Sequence, residues 1–277
     1  LSEKDALGIA GWTADFPAYS IDKEDGNANG SIAIRATRDT KAGEYRVRLK
    51  TEYAVEEATV RVFDVAVAQG IKVGIIKSYD NTLESATKEM GVDYALLDST
   101  MLEEGNLSKF NTIVVDIRAY LVRDDLKRNN SHLLEYVKDG GNLVVTYQRP
   151  QEWKPEYAPY PFTLSGKRVT SEDAPVEVLN PQHPLFNVPN KIVDDDWNDW
   201  KQERAMYFPT NVSKEYIRLL SSHDPDEPAL ATGYLVASYG KGTYIYTSYV
   251  WYRQLKEMNH GAFRCFANMI SYQANRK

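Results

Sequence analysis

Two short apolar runs, 112–115 and 143–146, flank one amphipathic segment between residues 111 and 150. Val122, Leu126, Leu133 and Val137 recur there at near-helical spacing, which predicts one long helix closed by Gly140-Gly141. A strand, a helix and a second strand in this order form a crossover unit, and a helical crossover implies parallel strands. Ligands of open parallel sheets bind just beyond the carboxyl ends of the strands. Those ends carry Asp116, Arg118 and Tyr120 on one side and Tyr147, Gln148 and Arg149 on the other. Neither end offers a Cys or Ser where a nucleophile would be expected.

The same alternation extends upstream. An apolar run at 71–76, a loop at 78–81, a helical stretch at 82–90 ended by Gly91, and a second run at 92–97 precede the unit. Strands alternating with helices predict an α/β fold with a doubly wound, flavodoxin-like sheet over 69–277. Neither GxGxxG nor GxxxxGK[ST] follows the first strand, so dinucleotide and P-loop chemistry have no motif and no cofactor is expected.

Residues 1–68 read differently. Tyr45, Val47 and Leu49 alternate with Arg46, Arg48 and Lys50, and 31–35 and 59–63 are further β-like runs, with turns expected at Asp25-Gly26 and Ala42-Gly43. Period two with one charged face predicts half-buried antiparallel strands. The chain begins at Leu1 without Met, which leads us to expect a piece of a longer protein.

Composition excludes several classes. The 277 residues carry a net charge of −6 with both signs interspersed, so there is no electrostatic footprint for nucleic acid. No apolar run approaches the ~20 residues of a membrane span. A single cysteine, Cys265, excludes a disulfide framework and a multi-thiolate metal site, and it is expected as a small core residue. His132, His183, His223 and His260 form no HxxH, HExxH or HxH pair, so no metal ligand is assigned. His183 and the His223-Asp224 neighbours invite a dyad reading that lacks a nucleophile, and 194–196 is an acid run open to either solvation or a cation. The 19 Tyr and 5 Trp suit recognition surfaces and packing alike.

After Pro150 the chain is rich in Pro and aromatics through Trp153, Tyr157, Tyr160 and Phe162, a long ordered loop of the kind that is usually functional. Further on, Trp200, Glu203, Arg204 and Tyr207 fall on one face if helical, either as a sugar platform or as a buried Arg–Glu pair. Strands are expected at 229–238 and 243–249 with a hairpin turn at 240–242, and Arg253 and Gln254 follow the second of them. The chain closes with an apolar-faced helix at 261–273. The ligand-binding candidates are therefore Arg118, Tyr120, Tyr147, Gln148, Trp200, Glu203, Arg204, Tyr207, Arg253 and Gln254; no catalytic residue is assigned.

Several phrases together, IRAY at 117–120, YVKDGGNLVV at 136–145, HPLFNVPN at 183–190, WKQERAMYF at 200–208, YGKGTYIYTSYVWYRQL at 239–255 and GAFRCFAN at 261–268, carry a resemblance. They resemble the class I glutamine amidotransferase-like region behind the catalytic domain of long PIG-L (LmbE-like) sugar N-deacetylases, over roughly residues 70–275. An immunoglobulin-like segment often precedes that region, which the β-rich start would fit. The departures matter as much: the zinc-binding HPDD-type motif and later HxxH of the deacetylases are absent, and where amidotransferases place Cys in a GxCxG turn, 144–148 offers Tyr147 and Gln148. The resemblance implies an amidotransferase-like fold without its nucleophile, partnered by carbohydrate or by an upstream deacetylase domain, in the periplasm or at the cell surface. The expected role is a non-catalytic accessory domain. The alternatives are a hydrolase using Glu203 or a His as general base, and an oligomerisation scaffold.

Overall fold

A computed structural model describes residues 9, 11–15, 33–37, 39–50 and 55–274. The chain divides into two compact units, Leu1–Asp64 and Val65–Lys277.

In the first unit β1 (Thr13–Asp15) pairs antiparallel with β2 (Ala33–Arg35), and β3 (Gly43–Lys50) with β4 (Val55–Val62). The alternation in 45–49 sorts as its period requires. Val47 is buried with Trp12 and Ala14, while Glu44 and Arg48 meet Arg61 and Glu57 across the ladder on the exposed face. Those exposed ion pairs contribute little stability. The expected turn at Asp25-Gly26 and the start of the 31–35 run lie outside the described residues.

The second unit is built on a seven-stranded sheet. Its chain runs β5 (Lys72–Ile76), α1 (Thr82–Glu89), β6 (Asp93–Leu96), α2 (Ser99–Glu104), β7 (Thr112–Val115), α3 (Ala119–Val122), α4 (Asp124–Arg128), α5 (Asn130–Lys138) and β8 (Asn142–Val145). Three short antiparallel ladders then leave the sheet. β9 (Thr163–Leu164) pairs with β13 (Pro209–Thr210), β10 (Arg168–Val169) with β12 (Ala205–Met206), and β11 (Val176–Val178) with β15 (Leu220–Ser222). The sheet is completed by β14 (Ile217–Arg218), β16 (Tyr234–Tyr239) and β17 (Gly242–Thr247), and the chain ends in α6 (Trp251–Lys256) and α7 (His260–Ser271).

The strand order is β14-β16-β17-β8-β7-β5-β6. The five strands from β6 to β17 are parallel, and β16 and β14 extend the sheet antiparallel. Counted along this unit, the parallel strands follow the order 2-1-3-4-5 of flavodoxin-like doubly wound sheets, whose ligand crevice opens between the first and third strands, here β5 and β7. Ile113, Val114, Val115, Leu143, Val144 and Val145 are fully buried, as parallel strands covered on both faces must be.

Two expectations are corrected, one conditional reading is decided and one element is added. The single long helix after β7 is three short ones: Arg123 adopts φ −110°, ψ 90° between α3 and α4, and Asn129 sits outside helical geometry between α4 and α5. Leu126, Leu133 and Val137 face the core as their spacing implies, but Val122 lies before the first break and is 48% exposed. The turn between β16 and β17 is the two-residue Gly240-Lys241, with Tyr239 paired to Gly242 and Gly240 at φ 60°. Nor is 200–207 helical, because Asp199, Gln202 and Tyr207 all take left-handed φ. Finally, α6 directly follows the last strand where no helix was expected.

Candidate functional site

The carboxyl ends of β5, β7, β8 and β17 bring four loops together. After β7 the chain continues through Asp116 and Ile117 to Arg118, which adopts φ 50°, ψ 24° before α3 begins. A non-glycine residue in this region costs on the order of 1–2 kcal/mol and persists only where its surroundings hold it. Here the Arg118 N–H donates to Tyr147 O at 2.9 Å, and its carbonyl accepts from Leu121 N at 2.9 Å. The guanidinium then reaches Glu152: Nε donates to Oε1 at 2.7 Å and Nη2 to the same oxygen at 2.5 Å. Nη1 donates to the Tyr79 hydroxyl at 3.3 Å. The pair strengthens the hold of Arg118 on its proton, raising its pKa.

Beside it, Tyr147 stands between the rings of Tyr207 and Tyr252, at centroid separations of 5.6 and 6.0 Å. Arg149 Nε donates to the Tyr147 hydroxyl at 3.2 Å, and its guanidinium lies 5.9 Å from the centre of the Tyr207 ring. Burial pushes the Tyr147 phenol up to about 12, against the pull of Arg149. Arg253 Nε donates to the Tyr252 hydroxyl at 2.7 Å, and its Nη2 pairs with Glu203 Oε1 at 3.2 Å. Tyr207, like Arg118, is held at positive φ (60°); its N–H donates to Lys167 O and its carbonyl accepts from Ser248 Oγ. Two strained residues thus present a guanidinium and a ring to the same rim, and such strain concentrates at functional sites. A recess of about 410 Å³ opens beside Tyr79, between Ser85 on α1 and Leu255 on α6.

Under the rim, at the β5/β7 crevice, Asp116 is 1% exposed. Its Oδ2 accepts from Ser78 Oγ at 2.8 Å and Ser78 N at 3.1 Å, and Oδ1 accepts from Ile117 N at 2.7 Å. Desolvation outweighs these bonds and raises the carboxyl to about 6.

Of the sequence candidates, Arg118, Glu203, Tyr207 and Arg253 meet at this rim, with Tyr147, 2% exposed, packed beneath the Tyr207 and Tyr252 rings. The other five turn inward. Tyr120 is fully buried, stacked on Tyr157 at 4.3 Å, with its hydroxyl donating to Asn130 Oδ1 at 2.6 Å. Gln148 accepts from Tyr120 N and donates to the carbonyls of Asp116 and Thr146. Trp200 packs in a cluster with Trp251 and Tyr249. Among the described residues Arg204 pairs with no carboxylate; it donates to Ala174 O and Trp197 O, and desolvation lowers its pKa. Gln254 bonds both backbone groups of Lys201. The expected Arg204–Glu203 pair is therefore replaced by Arg253–Glu203. The left-handed strand-to-helix turn also follows β7 rather than β8, so Arg118, not Tyr147 or Gln148, occupies the position where such turns display a nucleophile.

Tyr79, Arg149, Glu152 and Tyr252 complete the rim and were not among the candidates. The signal that finds Arg149 is period two carried past the strand end: Thr146 and Gln148 bond backbone carbonyls, while the buried Tyr147 and half-buried Arg149, on the alternate positions, bond each other.

The other groups singled out in the sequence are engaged elsewhere. Asp224 accepts from Thr170 and Ser171, so it is not a partner of the His223 ring, whose Nδ1 lies 3.0 Å from Asp224 O. His183 stacks on Tyr272. Asp196 accepts from Val193 N and lies 3.6 Å from Arg264. Cys265 is buried on α7, which raises its thiol pKa. Among the described residues no cluster of three or more His, Cys, Asp or Glu converges on a metal position, and no helix is long and apolar enough to cross a membrane.

No protein-family model matches the chain, and no curated protein matches it. Among solved structures it is similar to a Thermoplasma acidophilum protein assigned as a subunit of GMP synthase, with 11% identity over 74% of this chain and 95% of that one, at TM-score 0.48. A cytoplasmic protein of Salmonella typhimurium LT2 shares 10% identity over 83% of this chain and 95% of its own, at TM-score 0.47. A β-galactosidase from Rahnella sp. R3 shares 14% identity over 76% of this chain but only 32% of its own, also at TM-score 0.47. Likeness at this level carries no function across.

Proposed function

We propose that the larger unit is a non-catalytic, amidotransferase-like binding module, and that a saccharide lies across the aromatic and guanidinium rim at the carboxyl edge of its sheet. The observation that carries this reading is the strained turn after β7. The position that would display a nucleophile holds Arg118, already ion-paired to Glu152, beside the accessible rings of Tyr79, Tyr207 and Tyr252, with Tyr147 buried behind the last two. Tyrosine rings offer flat apolar faces to sugar C–H groups, and guanidiniums offer forked donors to their hydroxyls. The phrases shared with long PIG-L proteins support an origin as the accessory region of such a deacetylase, with the β-rich first unit as its immunoglobulin-like neighbour and export to the periplasm or cell surface.

One observation favours a hydrolase instead: Asp116, with its carboxyl raised to about 6 beside Ser78, has the acidity of a general base. Its burial and its three donors leave it little room to act on a substrate. A glycan-array screen of the wild type against Tyr79→Ala tests the main reading, since Tyr79 is 56% exposed and its loss spares the core. Retention of a defined set of glycans, weakened roughly 3- to 10-fold in the variant, is expected. Failure to retain any glycan, or turnover of an amide or ester that depends on rim residues, overturns it.

A further inference from the structure

The charges at the rim do not balance, and the excess sits on one residue. Three guanidiniums, Arg118, Arg149 and Arg253, line it. Glu152 is committed to Arg118 and Glu203 to Arg253. Arg149 has no carboxylate within ion-pairing distance among the described residues; its side chain makes one hydrogen bond, from Nε to the Tyr147 hydroxyl. The second Glu152 oxygen accepts from the backbone N–H of Arg149 at 3.4 Å, not from its guanidinium. Asp116 is taken up beneath the loop by Ser78 and Ile117. Arg149 is only half buried, and neither terminal nitrogen is among the sealed, unpartnered atoms of the interior, so both remain open to solvent. The guanidinium is nonetheless fixed in place, tied at Nε to Tyr147 and set beside the Tyr207 ring. A held guanidinium with two free parallel donors fits a planar carboxylate.

From this we infer that the ligand of the rim is an acidic saccharide, one whose sugar carries a carboxylate, and that Arg149 selects for that carboxylate. The inference rests on the saccharide reading above and adds its charge. The rings accept the sugar body, Arg118 and Arg253 remain neutralised by their own acids, and Arg149 supplies a guanidinium left for the ligand. A neutral sugar would leave that cation unanswered.

The test is calorimetric titration of the intact chain with a uronic-acid oligosaccharide and with its carboxyl-reduced, neutral counterpart. Wild type is expected to bind the uronate at least ~10-fold more tightly, as one charge-assisted fork allows, and the preference should shrink as salt rises. Arg149→Gln should cut the preference to about twofold or less, with the larger loss of affinity on the uronate. The thermal transition of this variant is checked alongside, because the introduced amide retains a donor for Tyr147 and should leave the fold unchanged. Equal binding of the two sugars by wild type, or a preference that survives Arg149→Gln, overturns the inference and leaves the saccharide reading standing. Binding of neither sugar removes both.

Discussion

Replacing Arg118 by alanine leaves the Glu152 side chain, 3% exposed, with a single remaining donor, the Arg149 N–H at 3.4 Å. Losing one partner of a fully buried ion pair costs about 3–5 kcal/mol, because the other charge stays desolvated. The Arg118 side chain is 20% exposed, so water can enter the space it leaves, and ~2 kcal/mol is the expected loss. The left-handed turn does not alter this sum, since alanine at 118 is strained much as arginine is. Glu152→Gln should cost about 1 kcal/mol, because the amide oxygen still accepts from a guanidinium that water can reach. The double variant should lose clearly less than the two single losses combined, with a coupling energy of at least ~1 kcal/mol. Urea unfolding followed by tryptophan fluorescence measures all four corners of the cycle. A single loss below ~0.5 kcal/mol for Arg118→Ala, or simple additivity, would refute the view that this pair holds the turn after β7.

Asp116 gives a pH signature. Its folded-state value of about 6 lies above the ordinary 3.8, so its contribution is complete below about pH 4 and is lost as pH rises through 6. The stability of wild type relative to Asp116→Asn should therefore fall by roughly 2 kcal/mol between pH 4 and pH 7, and a flat difference in denaturant titrations would contradict this. Two glycines should separate sharply. A Cβ at Gly242 would meet Val137 O at 2.0 Å and Gly141 O at 2.2 Å, so Gly242→Ala should cost ~3 kcal/mol or more, whereas Gly70→Ala, at φ 69° with open space around it, should cost about 1 kcal/mol. Two buried tyrosines should differ as well. Tyr120→Phe orphans Asn130 Oδ1 and should lose about 1–2 kcal/mol, while Tyr244→Phe removes a hydroxyl that has no partner and should be neutral or stabilising by thermal melt.

The sheet was legible because burial on both faces writes a parallel strand as an unbroken apolar run, as at Ile113–Val114–Val115 and Leu143–Val144–Val145. Gly91, at φ 69°, ended α1 for the reason its sequence position implied. The segment after β7 was misread as one helix because a 3.6-residue period survives two breaks when Leu126, Leu133 and Val137 still face one core. The excursion after β8 was opaque for a different reason. Asp199, Gln202 and Tyr207 adopt left-handed backbone without being glycine, and nothing in their identities announces it. Those dihedrals decide that Trp200 and Arg204 point into the molecule and Tyr207 out of it.

The rim shows how far a rule about strand ends reaches. The rule places function beyond the carboxyl ends, and Arg118, Tyr147, Tyr207 and Arg253 do gather there. It does not say which neighbour faces the cleft: Gln148 stitches β7 to β8 from within, Tyr147 is buried beneath its ring neighbours, and Arg149 reaches the half-buried rim. The same division appears after β7, where Asp116 is buried under Ser78 and Arg118 is lifted by its left-handed turn into contact with Tyr79 and Glu152. A chain that adopts strain to raise a guanidinium, then neutralises it with a buried glutamate, has fixed the shape of the rim without leaving that cation free. The free cation is its neighbour, Arg149. If the proposed ligand is right, specificity and architecture reside on different arginines, and substitutions at 118 and at 149 should fail in different assays.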